Sequence, residues 1–423
     1  MKMMNIVIVT YNWPPRNAIG THRPYAWAKY WNELGAKITV LTAKKCFYDE
    51  PLDLELPKLP GVEVIEVSYR QLDVHAKRGG SYKQIINLLK KGKSFLARHV
   101  GMAVDVRGAW ASAANNVIDG LANRADVVVS TFGPASAHQI AYKMKKKNPE
   151  LRWIADYRDL WSQRHASDLP VWKKRKESRK EKQLLASADC VTTVSEELAD
   201  DLKKICNSPV KVIMNGFDID EPTLKKNLAQ HKVKRRNGRM TVVYTGMVYP
   251  KLRDPTPLLN AMSNLSQSGK ITPDNFSLEF YGSRTQSAES IVKACGMSDF
   301  VVFNGHVPRE RALKAQSDAD FVLLLESSMP EAKGVLTGKL FEYIASGSPI
   351  LSLGSTKDSA ISRVLDETGC GVCLQDNVEA IVHVLIDALD RKTPDWYRPK
   401  FGNILNYSRK KQSVDMFEKI LLN

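Results

Sequence analysis

The chain has 423 residues, more than one hydrophobic core usually accommodates, so we expect two domains. Its 43% hydrophobic and 26% charged content is ordinary for a globular protein and excludes a disordered or fibrous chain. The formal net charge of +16 implies an anionic partner. Nucleic acid, an acidic membrane surface and phosphorylated compounds are the candidate partners.

The sequence contains no pattern typical of export or membrane insertion. The apolar run within residues 1–10 is shorter than the apolar region of a signal peptide. No later segment reaches the roughly 18 apolar residues that a membrane span requires. The six cysteines are too few for a disulfide framework in a chain of this length, so we predict a cytoplasmic protein.

The first half of the chain alternates short runs rich in Val, Ile and Thr with longer stretches of helical periodicity. Most of the short runs are apolar nearly throughout, as strands of a parallel sheet buried on both faces must be. This alternation predicts a doubly wound parallel sheet with strands at 5–10, 37–42, 62–68, 126–131, 152–156, 190–195 and 210–214.

The same alternation restarts after a polar, cation-rich gap at 221–240, which we interpret as a linker followed by a solvated helix. The second series predicts strands at 241–245, 276–281, 300–304, 321–325, 350–353 and 371–374. The predicted domains are therefore residues 1–221 and residues 222–405. A C-terminal helix is expected over 406–423. Packing of this helix against the first domain is one of its expected arrangements.

Open parallel sheets bind ligands beyond the carboxyl ends of their strands. We therefore predict an α/β fold of two Rossmann-like domains that face each other across a cleft, with the chemistry in that cleft. The loop after the first predicted strand carries Gly20, which would allow backbone N–H groups to approach a phosphate at the start of the next helix. A simple turn is the alternative interpretation of this glycine.

A polar segment follows the fifth predicted strand and places Asp156, Arg158, Asp159 and Trp161 at its carboxyl end. Such a cluster is typical of a functional loop. Asp159 is a candidate acceptor base or sugar-hydroxyl ligand, with Arg158 beside it in the catalytic site. The alternative is a structural ion pair between Arg158 and one of the carboxylates.

In the second half, Gly246 ends a predicted strand and is followed by Lys251 and Arg253. Lysine, arginine and backbone N–H donors can meet the charge that develops on a diphosphate leaving group without a metal. A solvated loop is the alternative. The D-x-D triplets at 218–220 and 318–320 suggest a manganese site, but one lies in a turn and the other at a strand start. We therefore predict no metal and no cofactor.

The stretch from Thr337 to Glu342 predicts a helix whose first turn is directed at a phosphate. The N-terminal N–H groups and the Lys339 ammonium would bind the phosphate, while the Glu342 carboxylate accepts the ribose hydroxyls. The alternative is a surface ion pair between Lys339 and Glu342. The predicted donor-binding residues are Gly20 in the first domain and, in the second domain, Gly246, Lys251, Arg253, Thr337, Gly338, Lys339, Leu340 and Glu342.

With these residues in view, the sequence resembles the family 4 glycosyltransferases, in particular their bacterial polysaccharide branch. The resemblance extends over nearly the whole chain through motifs whose order and spacing are specific: Pro14-Pro15 with Gly20 and Arg23, 126–138, 156–161, Val194-Ser195-Glu196, 215–218, Arg253-Asp254-Pro255 and 337–343. It implies the GT-B fold, retention of anomeric configuration, and a donor diphosphate bound by Lys339 and the loop carrying Lys251 and Arg253. It also implies that Glu342 binds the ribose.

One position departs from the pattern of this family. The family's paired glutamates are eight positions apart, and the first would fall on Gly334. Glu331 lies three residues earlier, and whether it substitutes is left open. The contacts to the donor sugar, and therefore its identity, stay undetermined.

Two basic segments, 77–98 and 172–182, each carry seven cations. The first also has an apolar helical stripe, which is typical of a helix in an anionic membrane interface and equally of a solvated helix packed on the first domain. Neither segment interleaves its cations with stacking aromatics, and no nucleic-acid module is recognisable. We therefore predict a membrane surface and no nucleic acid as the macromolecular partner.

The predicted function is transfer of a sugar from a nucleotide-diphosphate sugar to a hydroxyl of a lipid-linked glycan acceptor, in lipopolysaccharide or other cell-surface polysaccharide biosynthesis. The enzyme is expected in the cytoplasm, peripheral on the inner face of the plasma membrane. Two alternatives stay open: a sugar-nucleotide epimerase of the same fold, and a non-catalytic nucleotide-sugar-binding subunit of a glycan-assembly complex, which the glycine at 334 favours.

Overall fold

A computed structural model describes residues 3–46, 49–69, 107–163, 170–229, 238–248, 252–282, 285–390 and 393–422. The chain divides into two compact units. The first comprises Met1–Met214 together with Ser413–Asn423, and the second comprises Asn215–Gln412. The division follows Met214, whereas the sequence pattern predicts it after residue 221. Each unit is a parallel α/β domain, so the prediction of two Rossmann-like α/β domains is confirmed.

The sheet of the first unit has seven strands in the order β3-β2-β1-β4-β5-β6-β7, and all neighbours are parallel. Its central strands are buried throughout, which explains their near-continuous apolar sequences. The strands are β1 (Asn5–Val9), β2 (Lys37–Ala43), β3 (Glu63–Val67), β4 (Val127–Thr131), β5 (Arg152–Tyr157), β6 (Cys190–Thr193) and β7 (Val210–Val212). Strand order reverses between β1 and β4.

Helices of the first unit connect these strands and cover both faces of the sheet, as right-handed crossovers of a doubly wound fold do. Buried Trp27 and Trp31 lie on one side, and buried Trp110 and Trp153 lie on the other. The helices are α1 (Ile19–Glu33), α2 (Gly108–Ala113), α3 (Asn115–Arg124), α4 (Ser136–Lys147), α5 (Val171–Leu185) and α6 (Glu196–Lys203).

The second unit contains a six-stranded parallel sheet in the order β10-β9-β8-β11-β12-β13, with its reversal between β8 and β11. The strands are β8 (Met240–Thr245), β9 (Phe276–Tyr281), β10 (Val301–Phe303), β11 (Phe321–Leu325), β12 (Ile350–Leu353) and β13 (Gly371–Cys373). The helices are α7 (Glu221–Ala229), α8 (Thr256–Gln267), α9 (Gln286–Ala294), α10 (Arg309–Asp318), α11 (Gly338–Ser346), α12 (Ala360–Thr368), α13 (Val378–Leu389) and α14 (Phe401–Leu405).

The C-terminal segment is helical as α15 (Arg409–Met416), followed by one π-helical turn over Phe417–Leu421. From Ser413 onward it belongs to the first unit. Its apolar residues Met416, Phe417, Ile420 and Leu421 join the core that contains Trp27 and Trp31. The Trp31 indole N–H donates to the Ser413 carbonyl at 2.9 Å. This contact closes the core of the first unit with the last residues of the chain.

Candidate functional site

In the second unit, the carboxyl ends of β8 and β11 lie side by side where the strand order reverses. Crevices at such reversals are where open parallel sheets bind ligands. Gly246 directly follows β8, and Glu326 directly follows β11. Helix α11 begins at Gly338 and carries Lys339 in its first turn. These strand ends and the first turn of α11 are called here the β8–β11 edge.

The Lys339 ammonium is held at the end of β8. Its Nζ donates to the Tyr244 hydroxyl at 3.2 Å and lies 4.7 Å from the centre of the Tyr244 ring. Gly246 makes room for it, because a Cβ at that position would overlap Nζ of Lys339. Gly246 also has a φ of +128°, which favours glycine. The structure thus brings together Gly246 and Lys339, which are far apart in sequence.

Tyr343 anchors α11 to β8. Its hydroxyl accepts the Thr245 backbone N–H at 3.0 Å and lies 3.1 Å from Thr245 Oγ1. Oγ1 of Thr245 also accepts the side-chain amide of Gln316 at 3.1 Å. All three side chains are buried, so these bonds hold the first turn of α11 in a defined position.

Glu326 is a residue of the β8–β11 edge that was not among the predicted site residues. Burial raises the pKa of its carboxyl to about 7, and the charges of Arg253 and Lys339 oppose that rise. Burial also lowers the pKa of Lys339 to about 8, and the Arg253 charge acts in the same direction. The signal available in the sequence was a single acidic residue directly after the apolar run of β11.

The Glu342 carboxylate pairs with Arg309, at 2.7 Å between Oε1 and Nη1. Its side chain is 13% exposed and that of Arg309 is 37% exposed, so the pair is partly open to solvent. The alternative of a surface pair between Lys339 and Glu342 is therefore wrong, because Lys339 bonds to Tyr244 instead. Arg309 is a second residue that no sequence motif indicated.

The other predicted donor-binding residues lie in different settings. Thr337 is the N-cap residue of α11 with an extended backbone, and Gly338 is the first helical residue. Leu340 is buried, and its backbone N–H donates to the Thr337 carbonyl at 3.3 Å, so its side chain serves packing. Arg253 is half-buried. Lys251 and the side chain of Glu331 lie outside the part of the chain that the structure describes.

In the first unit, the loops after β1 and β4 are tied together at the other strand reversal. The Asn12 side-chain amide donates to the Gly133 carbonyl at 3.1 Å, and Nη2 of Arg158 donates to the Phe132 carbonyl at 2.9 Å. Gly20 packs against this guanidinium, and a Cβ there would overlap it. Gly20 and Arg158, predicted from separate motifs, therefore meet at one edge of the sheet.

The carboxylate of Asp156 is fully buried and pairs with Arg23 rather than with Arg158. Nη2 and Nε of Arg23 donate to its two oxygens at 2.7 and 3.2 Å. The hydroxyls of Thr131 and Thr192 donate to the same carboxylate at 2.9 and 2.8 Å. The structural ion pair considered for Arg158 is therefore wrong for Asp156, and Arg158 keeps its guanidinium at the strand ends.

Asp159 is exposed and follows β5 on the same edge. Its charge acts on Arg158, whose pKa is lowered chiefly by burial. Nε of Arg158 has no hydrogen-bond partner within the described residues. This edge therefore presents a carboxylate and a partly satisfied guanidinium next to the start of α1.

The basic segment 172–182 lies on α5. Val171 and Trp172 at its start are 66% and 56% exposed. Its two acids are engaged, since Glu177 accepts the Trp161 indole N–H at 2.8 Å and buried Glu181 accepts the Ser162 backbone N–H at 3.0 Å. Segment 77–98 lies outside the described residues. None of the helices that the structure describes combines the length and apolarity of a membrane span.

Comparison with known proteins adds sequence and fold evidence. Residues 25–221 match the model of Glycosyltransferase Family 4. No curated protein matches the sequence. Sucrose-phosphate synthase from Thermosynechococcus elongatus is 15% identical with a TM-score of 0.62, over 99% of this chain and 98% of that one.

Two further solved structures share the fold. The lipopolysaccharide outer core galactosyltransferase WaaB is 12% identical with a TM-score of 0.60, over 99% of this chain and 100% of that one. A UDP-N-acetylglucosamine 2-epimerase is 13% identical with a TM-score of 0.51, over 100% of this chain and 96% of that one. The chain therefore has the GT-B fold throughout and carries the sequence pattern of Glycosyltransferase Family 4 in residues 25–221.

Proposed function

We propose that the protein is a retaining, metal-independent glycosyltransferase that moves a sugar from a nucleotide-diphosphate sugar to a hydroxyl of a lipid-linked glycan in cell-surface polysaccharide biosynthesis. The observation that carries this proposal is the meeting of Gly246 and Lys339 at the reversal between β8 and β11. The family match over 25–221 supports glycosyl transfer. The likeness to WaaB, a lipopolysaccharide outer core galactosyltransferase, supports the polysaccharide context.

Diphosphate binding at the β8–β11 edge uses two kinds of donor. The Lys339 ammonium and the Arg253 guanidinium supply positive charge, and the first turn of α11 supplies backbone N–H groups and the helix dipole. Negative charge grows on the diphosphate as the bond to the sugar breaks, so these donors stabilise the transition state more than the bound substrate. Glu342 accepts the ribose hydroxyls, and Arg309 positions its carboxylate.

In this proposal, residues of the first unit bind and activate the acceptor hydroxyl. The exposed carboxylate of Asp159 accepts the proton of the attacking hydroxyl or orients a sugar hydroxyl. Arg158, held by the Phe132 carbonyl and packed against Gly20, supplies positive charge beside it.

A thermal-shift screen against UDP, GDP and ADP and their sugars, without added metal, tests the donor site. One nucleotide family is expected to raise Tm, since a ligand at 100 times its Kd stabilises by about 2.7 kcal/mol. The shift should be lost in Lys339→Ala and Glu342→Ala and kept in Lys314→Ala, whose lysine is an exposed helix residue of the same unit. No shift with any nucleotide, or equal shifts in all variants, contradicts the proposal.

Substitution of Gly20 by alanine tests the acceptor edge. The added Cβ displaces the Arg158 guanidinium. Displacement of a positioned group at the reaction site is expected to lower turnover by about 10²-fold. Stability should fall little, because the displaced group is the far end of a flexible side chain and alanine is the better helix former. Gly120→Ala is the matched control, since Gly120 also lies in a helix and its Cβ would meet open space. Equal activity of the two variants would show that the contact between Gly20 and Arg158 is not needed for the reaction.

Membrane association in this proposal uses α5. Its cations face an anionic surface while Val171 and Trp172 enter the interface. The protein is expected to co-sediment with phosphatidylglycerol vesicles and far less with phosphatidylcholine vesicles. Binding should weaken several-fold in Trp172→Ala and in Arg175→Gln/Lys176→Gln, and should fall with salt. Unchanged binding in both variants would remove α5 from the membrane contact.

A second candidate is a sugar-nucleotide epimerase, because a UDP-N-acetylglucosamine 2-epimerase shares the fold over the whole chain. An epimerase turns over its sugar nucleotide with no acceptor present. Product analysis after incubation of the purified protein with the nucleotide sugar selected by the thermal-shift screen distinguishes the two. Nucleotide binding without turnover, both with and without an acceptor, would support the non-catalytic subunit.

A further inference from the structure

A separate group of cations surrounds Tyr11 in the first unit. The charged groups of Arg16, Lys45 and Arg107 lie 5.5, 5.2 and 5.0 Å from the centre of its ring. Tyr11 lies just beyond β1, Lys45 just beyond β2, and Arg107 just before α2. The three cations, together with Tyr11 and Asp49, are called here the Tyr11 cluster. It lies at the carboxyl edge of the sheet, on the β1–β2 side.

The counter-charge within the cluster is the carboxylate of Asp49, which is fully buried. It accepts the Tyr11 hydroxyl at 3.0 Å, while Arg16 and Arg107 approach its Oδ1 at 3.6 and 3.7 Å. Lys45 donates to the Thr42 hydroxyl at 3.0 Å and is also influenced by the charge of the exposed Glu66 carboxylate. Among the described residues, two guanidinium groups therefore approach one buried carboxylate, and Lys45 adds a third positive charge beside the Tyr11 ring.

This arrangement costs electrostatic energy in the free protein. Burial lowers the pKa of Lys45 to about 8, and burial followed by the charge of Arg107 lowers the pKa of Arg16. Cations that repel one another are stabilised when an anion binds between them. The guanidinium groups are still reachable, since the side chains of Arg16 and Arg107 are 17% and 31% exposed.

We propose that the Tyr11 cluster binds a phosphate or diphosphate group of the acceptor. The proposal rests on the proposed transferase function and adds the chemical class of the acceptor to it. Two guanidinium groups and one ammonium match the oxygens of a phosphate. Each guanidinium can donate two parallel hydrogen bonds to a pair of phosphate oxygens. The group belongs either to a soluble sugar phosphate or to a lipid diphosphate, and both present negatively charged phosphate oxygens.

Calorimetric titration of the full chain with inorganic pyrophosphate tests the site. The titration is made in a Lys339→Gln background, so that the predicted donor site of the second unit contributes little. Arg16→Gln and Lys45→Gln are each expected to weaken pyrophosphate binding at least tenfold. Arg124→Gln is the control, because Arg124 is a cation of the same unit in a surface pair with Glu63. No binding, or equal binding in all variants, overturns the proposal.

Asp49→Asn keeps the test informative if a cation variant folds poorly. Removal of the buried negative charge is expected to tighten pyrophosphate binding severalfold, whereas a purely structural cluster would lose stability without gaining affinity. Folding of each variant is checked by its Tm and far-UV circular dichroism. Unchanged or weaker pyrophosphate binding in a folded Asp49→Asn protein argues against an anion site.

The source of the phosphate is identified in two further arms. One uses glucose 1-phosphate in solution, and the other uses phosphatidylcholine vesicles that contain a polyprenyl diphosphate. Binding in either arm that is lost in Arg16→Gln supports the proposal and names the source, and binding in neither arm overturns it. Nucleotide thermal shifts are measured on the same variants without the Lys339 change. Retained shifts leave the proposed function standing if the acceptor proposal fails.

Discussion

Lys339→Gln is expected to lower kcat/KM for the nucleotide-sugar donor by about 10²- to 10³-fold, the usual effect of removing one preorganised donor from a developing negative charge. The ammonium is held by Tyr244 at 3.2 Å, and Gly246 packs directly against it, so its position at the end of β8 is well defined. Steady-state kinetics with the donor identified by thermal shift provide the measurement. A decrease of less than threefold would mean that Lys339 does not contact the diphosphate.

The same lysine predicts a pH dependence of donor binding. Because burial lowers the pKa of Lys339 to about 8, its charge in the free protein is present below pH 8 and is lost as pH rises through that value. Nucleotide affinity should therefore decline between about pH 7 and pH 9. In Lys339→Arg the guanidinium stays charged over this range, so any remaining binding should vary less with pH. Parallel pH profiles for the two proteins would contradict this assignment.

Asp156→Ala is expected to destabilise the protein by about 3–5 kcal/mol, since loss of one partner leaves the buried Arg23 charge without its carboxylate. The hydroxyls of Thr131 and Thr192 lose their acceptor in the same change. Urea denaturation measures the change in stability through the midpoint and the slope of the unfolding transition. Asp200→Ala should change stability little, because Asp200 forms an exposed pair with Lys203.

A double-mutant cycle separates the ion pair from general damage to the core. Arg23→Ala/Asp156→Ala is expected to be more stable than the sum of the two single effects predicts, because neither charge is then left alone. Strictly additive losses would show that Arg23 and Asp156 stabilise the fold through separate contacts. The pair ties α1 to β5, so the cycle also measures how strongly these two distant elements are coupled.

Strand positions could be predicted from the sequence because buried parallel strands are short apolar runs between glycine, proline and polar punctuation. The predicted runs 276–281 and 321–325 coincide with β9 and β11, and β1 and β4 differ from their predictions by one residue at an end. The predicted strand at 210–214 ends earlier, at Val212. Such ends depend on hydrogen bonds to neighbouring strands, which composition does not report.

The sequence alone therefore determined the α/β class, the order of the strands along the chain and the polar segments that carry Gly20, Asp159, Gly246 and Lys339. Local propensity and apolar periodicity are properties of neighbouring residues, so they can be recognised without coordinates. Only the tertiary structure decided which side chains meet: Arg23 with Asp156, Arg309 with Glu342, and Arg16, Lys45 and Arg107 around Tyr11. These contacts depend on the crossovers that place distant segments at one sheet edge, and no local pattern encodes that geometry.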